Sequence, residues 1–264
     1  MIFSVYNMSM SRVIFDLKSI KAQLIIFLFC FALFCAIKER SPLFLRPMVI
    51  AVISALVFEG MFSYFRNKLF QISESALITG LIVGSVLASD QAWWLIVLAC
   101  LAAIFSKYFL SIRKKHFFNP AAFGVLFAII LFGAQTQWSG TYLWYVLIPF
   151  GFYFIYKIRK IEVILGYLVV SFLLFGAQAL WHKVSLWSIF GYFSYFFIFI
   201  MIIEPRTSPV KKLQKYLFGS GVALLIFILT EAGVSFDIEL ASLLIMNATV
   251  PLFSRLYLER EARR

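Results

Sequence analysis

The chain has 264 residues, 63% of them hydrophobic, 19% aromatic and only 14% charged. That balance exceeds what a water-soluble core needs; it excludes a sizeable soluble domain and reads as an all-α polytopic membrane protein. The net charge of +12 does not indicate nucleic acid, because Lys and Arg fall in short runs between apolar spans rather than on one binding face.

In chain order, an N-terminal segment (1–21) carries Arg12, Lys18 and Lys21 and precedes the first apolar run. Phe34-Cys-Ala-Ile-Lys-Glu39 offers no small-x-small cleavage site, so that run is read as a transmembrane helix and not a removed signal. At about 20 apolar residues per crossing, helices are expected near 22–37, 43–64, 74–89, 91–110, 117–133, 141–157, 161–180, 185–204, 214–230 and 238–254. They form one transmembrane domain (22–256), followed by a basic tail (257–264). The spans 74–89 and 117–133 are short, which points to helices that start or break inside the membrane.

With the N-terminus in the cytoplasm, the inner loops collect most of the 24 basic residues, including Arg66, Lys68, Arg113, Lys157, Arg159, Lys160, Arg206, Lys211 and Arg255. This asymmetry places both termini inside and requires an even number of spans. Trp93, Trp94, Trp138, Trp144, Trp181 and Trp187 all fall near outer helix ends, where indoles favour the headgroup boundary.

Against that map, four polar clusters share one depth on the inner side: Glu74, Ser75 and Thr79; His116, Asn119 and Pro120; Glu204 and Thr207; and Asn247, Thr249 and Pro251. Capping of helix ends by Ser, Thr and Asn explains part of each cluster. Their common level also predicts a shared pocket facing the cytoplasm. Glu59 and Arg46 lie on one helix, about 20 Å apart by helical rise; each serves an ion path or is satisfied by a neighbouring helix. Cys30, Cys35 and Cys100 are read as small buried hydrophobes. No metal site and no catalytic residue is assigned. His116 and His182 are the only histidines and fall in loops on opposite sides, so paired haem ligation is not available.

Ser75-Ala-Leu-Ile-Thr-Gly80 resembles the Ser-Ala-Leu-Val-Thr-Gly signature of the D subunit of the Rnf electron-transport complex, whose family includes the B subunit of the sodium-pumping NADH:quinone reductase. Phe118-Asn-Pro-Ala121 with Gly124, Glu204-Pro-Arg-Thr-Ser208 and Asn247-Ala-Thr-Val-Pro-Leu252 are similar to further motifs of that family, in the same order. The resemblance implies ten helices in an inverted five-plus-five repeat with broken helices, a fold similar to that of urea channels. It implies flavin-mediated electron transfer coupled to ion movement, with the other subunits of a membrane oxidoreductase complex and the lipid bilayer as partners. It also implies two flavin positions: FMN esterified to a Thr between helices five and six, and a non-covalent riboflavin in the bundle.

This chain departs from the pattern. The loop Ala134–Thr141 is short, and Ser139-Gly140-Thr141 lacks the Ala before Thr, so covalent FMN on Thr141 is not expected. Glu204 stands where the family has Asp, Arg206 replaces an apolar residue, and Ser73-Glu74 replaces Asp-Gly. A non-covalent flavin (riboflavin or FMN) or a transported cation is expected at Thr79, Asn119, Glu204 and Thr207. A small-solute or ion channel, or a scaffold subunit without a cofactor, are the competing functions.

Overall fold

The computed structural model describes residues 18–112 and 115–261. The expected N-terminal segment up to residue 17, Arg113, Lys114 and residues 262–264 of the tail lie outside them. Among the described residues nine α-helices form the bundle: α1 (Ile20–Lys38), α2 (Arg46–Asn67), α3 (Glu74–Val86), α4 (Trp93–Phe109), α5 (Pro120–Phe132), α6 (Trp144–Ile158), α7 (Ile161–Trp181), α8 (Lys212–Glu231) and α9 (Ile238–Glu261). A two-residue antiparallel pair, β1 (Ser111–Ile112) with β2 (Lys115–His116), joins α4 to α5.

The eighth expected span, 185–204, is not one helix. It divides into a 3₁₀ segment, Leu186–Tyr192, and a π-helical turn, Phe197–Met201. The reason lies in where each half sits. Leu186, Trp187 and Tyr192 are exposed, whereas every residue from Phe196 to Ile203 is buried. Hydropathy scores both halves alike, but an aromatic segment at the bundle's edge and a short helix enclosed on all sides are different structures.

α3 and α5 are the short spans, each 13 residues, or about 20 Å against a hydrocarbon core of about 30 Å. The last carbonyls of α3 meet amides of the 134–141 loop: Ser139 N–H donates to Ser85 O at 2.8 Å and Gln137 N–H to Val86 O at 2.9 Å. The loop therefore completes the α3 end and satisfies groups that lipid cannot. Its Gly140 has φ +76°, and a Cβ there would stand 2.5 Å from the Phe31 ring, so only glycine fits.

Close backbone contact sets the helix spacing. On α3, Gly80 and Gly84 lie against Val52 and Met48 of α2; a Cβ on Gly84 would come within 2.4 Å of the Met48 Cα. Gly219 of α8 likewise meets the Val163 carbonyl of α7. Small residues four apart on a membrane helix permit this approach where no hydrophobic drive separates protein from lipid.

The packing order repeats. In the first half α1 touches α3, α2 touches α4, and α4 touches α5. In the second half α6 touches the π turn, α7 touches α8, and α8 touches α9. Corresponding contacts thus recur in the same order in the two sets of elements. The protein is an all-α polytopic bundle, with α1 starting and α9 finishing at the same end, called here the basic end.

Candidate functional site

A cavity of about 190 Å³ lies at the basic end, between α1, the first turns of α3 and α5, α6 and the segment after the π turn. Its walls are mostly apolar, including Leu24, Ile78, Ile82, Phe154, Phe199 and Ile203. Lys21, Pro205 and Arg206 also line it and are exposed, so they form its mouth.

Three of the four expected residues line this cavity: Thr79, Asn119 and Glu204. Thr79 Oγ1 donates to Ser75 O at 2.8 Å, which leaves its lone pairs as acceptors. Asn119 is engaged elsewhere. Its Oδ1 accepts from Ala122 N–H at 3.0 Å, capping α5, and its Nδ2 donates to Met201 O at 3.4 Å. Thr207 is buried behind the wall, and its Oγ1 donates to Glu204 Oε2 at 3.1 Å. It orients the carboxylate from the rear.

Glu204 is the only carboxylate among the lining residues. His116, 4% exposed, points Nε2 toward Glu204 Oε1 at 3.7 Å, and among the described residues that atom has no closer partner.

The fourth polar cluster supplies the clamp. Asn247, fully buried on α9, accepts from Asn119 N–H at 2.9 Å and donates to Thr207 O at 3.2 Å. One side chain thus fixes both the start of α5 and the turn after Glu204. Asn247 was legible in the sequence as an amide in an apolar helix, but its two partners lie 128 and 40 residues away. Local spacing carries no sign of either.

Glu59 pairs with a neighbouring helix. Lys107 of α4 contacts its two oxygens at 2.7 and 2.9 Å and Ser73 Oγ at 3.0 Å, while Ser73 donates to Glu59 at 2.7 Å. Ser73 caps α3 by accepting from Ala76 N–H. The buried ion pair therefore anchors the helix that brings Ser75 and Thr79 to the cavity. Arg46 lies exposed at the start of α2.

The turn after Glu204 has a second anchor in the α6–α7 loop. Lys160 is 4% exposed and donates to Ser208 O at 3.2 Å and Pro209 O at 2.6 Å. Burial, aided by Lys215, pushes the Lys160 ammonium down to about 8, against the pull of Glu162.

The electrostatics of the cavity follow from its parts. The N-termini of α3 and α5 both meet it, and each carries the positive end of a helix dipole. Lys21 and Arg206 add cationic charge at the mouth. Glu204 in the lining opposes them, and Glu74 stands 4.0 Å from Lys21 at the rim, so the two helix N-termini and Arg206 are what make the cavity favour an electron-rich or anionic group at its apolar walls.

Together these features define a class: a polytopic membrane bundle of repeated halves, with broken helices converging on a small cavity at one end. The chain belongs to the NQR2, RnfD, RnfE family, which it matches over residues 1–144 and 138–263. It is 33% identical over 103 residues to the D subunit of an ion-translocating oxidoreductase complex of Escherichia fergusonii, covering 37% of this chain and 29% of that protein. It is 32% identical over 120 residues to the protein of the same description from Yersinia enterocolitica, covering 41% of this chain and 32% of that protein. The matched part thus spans about a third of the length of these curated relatives.

Proposed function

We propose that this protein is a membrane subunit of an ion-translocating oxidoreductase complex and that the basic-end cavity receives a non-covalently bound flavin. Family membership and the description of the two relatives support the first part. The observation that carries the second is the cavity's character: apolar walls, two helix N-termini and two cations at the mouth. A bare cation is the weaker reading, since Glu204 is the one carboxylate in the lining, Glu74 at the rim is paired with Lys21, and both helix N-termini and Arg206 oppose a cation.

Ligand pockets commonly measure about 300–1,000 Å³, so a cavity of about 190 Å³ encloses part of a flavin and leaves the rest at the mouth. Phe154, Phe199 and Ile82 would flank the ring, Thr79 and Glu204 would accept from its N–H, and Lys21 and Arg206 would face its carbonyl oxygens or a phosphate. A flavin bound there would supply one- and two-electron transfer at this level of the membrane. The protein's own part is to exclude water, hold the ring edge and set its electrostatics. The remaining subunits of the complex would exchange electrons with it, in a bacterial-type cell membrane with this end in the cytoplasm. Covalent FMN on Thr141 is not part of this reading, because the Thr141 hydroxyl is buried beside the α3–loop junction.

The test is the absorption spectrum of the purified protein and of the supernatant after denaturation. Flavin released in near-stoichiometric amount, and lowered several-fold by Glu204→Gln or Arg206→Ala in a folded protein, supports the reading. A colourless protein that still conducts a small solute or an ion into liposomes, with no electron donor, would favour a channel instead.

A further inference from the structure

A second cavity, of about 630 Å³, lies on the flank of the bundle between α1 and α6. Two helical stripes line it. Gln23, Ile26, Phe27, Cys30 and Phe34 face it from α1; Val146, Phe150, Tyr153 and Phe154 face it from α6. The helices meet chiefly through Phe27, whose ring lies 4.7 Å from Phe150 and 5.7 Å from Phe154. Ile26, Phe34, Phe150 and Tyr153 are all exposed in the bundle.

The groove has one polar end. Tyr153 Oη donates to Gln23 Oε1 at 2.8 Å, Lys157 Nζ to the same oxygen at 2.9 Å, and Lys157 Nζ to Tyr153 Oη at 2.8 Å. Among the described residues no carboxylate forms an ion pair with Lys157. The cationic cluster sits at the basic end, at headgroup level. On α6 the lining spans Val146 to Phe154, with Lys157 one turn past Tyr153 at the rim, and along α1 the groove runs eleven residues, Gln23 to Phe34. At about 1.5 Å per residue that is about 16 Å, half of a hydrocarbon core of about 30 Å. Its length is one leaflet deep.

From the length, the apolar lining and the single cationic end, we propose that the α1–α6 groove binds one anionic phospholipid of the basic-end leaflet, its acyl chain along the two stripes and its phosphate on Lys157 and Tyr153. The charge is complementary and the depth matches one chain, which an ordinary lipid-facing surface does not require. Phe154 lines both this groove and the basic-end cavity. The bound chain therefore covers the outer side of a single-ring wall and closes the cavity toward the bilayer.

The test uses the full-length protein in mild detergent, titrated with phosphatidylglycerol or phosphatidylcholine and read by native mass spectrometry. One phosphatidylglycerol per chain should be held about tenfold more tightly than phosphatidylcholine, the size of one charge-assisted hydrogen bond. Lys157→Gln should abolish that preference and Lys157→Arg should keep it. A diazirine at the acyl terminus of phosphatidylglycerol should crosslink near Phe34 and Val146, and Cys30→Trp, which fills the groove, should remove that crosslink. Equal binding of the two lipids by the unmodified protein, a preference that survives Lys157→Gln, or crosslinks confined to other helices would each overturn the proposal.

Discussion

Lys107→Met is the sharpest probe of how the cavity is held. In the native protein the Glu59 carboxylate has 5% side-chain exposure and Lys107 has 11%, with contacts at 2.7 and 2.9 Å. Removing the ammonium leaves the Glu59 carboxylate with neutral hydroxyl donors alone, those of Ser73 and Tyr108. Breaking one side of a buried pair costs about 3–5 kcal/mol, because the other charge stays buried and uncompensated. Replacing both groups by neutral ones removes that penalty, so Glu59→Gln with Lys107→Met should lie within about 1.5 kcal/mol of the parent protein. Reversible unfolding in mixed detergent micelles, run as a double-mutant cycle, measures both. The same network caps α3, so Lys107→Met should also lower flavin retention while the double variant restores it. If Lys107→Met costs less than about 1 kcal/mol, or the double variant loses the sum of the two single ones, water reaches the pair and the anchoring argument fails.

Four further outcomes follow from the same geometry. Asn247→Ala strands the Asn119 N–H and the Thr207 carbonyl, each unsatisfied group costing about 1–3 kcal/mol; thermal unfolding should report that loss, and Asn247→Asp should not rescue it. Gly84→Leu would force a side chain into the Met48 backbone, so α3 should detach from α2, read as lost monomeric elution in detergent. Lys160 has its ammonium lowered to about 8 in the folded protein against about 10.4 unfolded. Between those values the unfolded chain holds the extra proton, so stability relative to Lys160→Met should rise with pH from about 8 to 10.4 and stay level below 8. Fluorescence on a denaturing gel should be absent, and unchanged by Thr141→Ala; a band abolished by that substitution would place a flavin on Thr141.

Much of the fold was legible because membrane physics constrains it so tightly. A backbone in lipid must satisfy its own hydrogen bonds, so apolar length announces helices, and nine of the ten expected spans correspond to α-helices. The exception, 185–204, shows the limit of that logic. Phe190 and Phe197 contribute equally to hydropathy, yet one is 43% exposed and the other fully buried. What separates them is Ser194, whose Oγ accepts from Phe197 N–H and starts a new helical segment. A serine between aromatics was too small a signal to outweigh the apolar run.

The site divides along the same line. Thr79, Asn119 and Glu204 fall at one depth in the sequence reading, and they converge on one cavity. Their individual roles were not legible, because each depends on a partner far away in the chain. Asn119 reads as a cap and is one, but it also donates to the π turn through Met201. Thr207 reads as a ligand but supports Glu204 from behind. Lys107 neutralises Glu59 across 48 residues, a separation at which local spacing carries no sign of the pair.

These particulars explain why the cavity stands where it does. A membrane bundle can leave backbone irregular only where protein, not lipid, surrounds it. The π turn at Phe197–Met201 is such a place, enclosed on all sides, and its carbonyl at Met201 is met by Asn119. The short helices α3 and α5 begin beside it and direct their N-termini at the same space. The Glu59–Lys107 pair, Asn247 and Lys160 then fix three separate edges of that space, from α2–α4, α9 and the α6–α7 loop. Polar groups in the membrane are costly, and here their positions share one consequence: each holds an element that borders the cavity. Glu204 alone presents a carboxylate to the cavity, while the other buried polar groups serve the backbone around it.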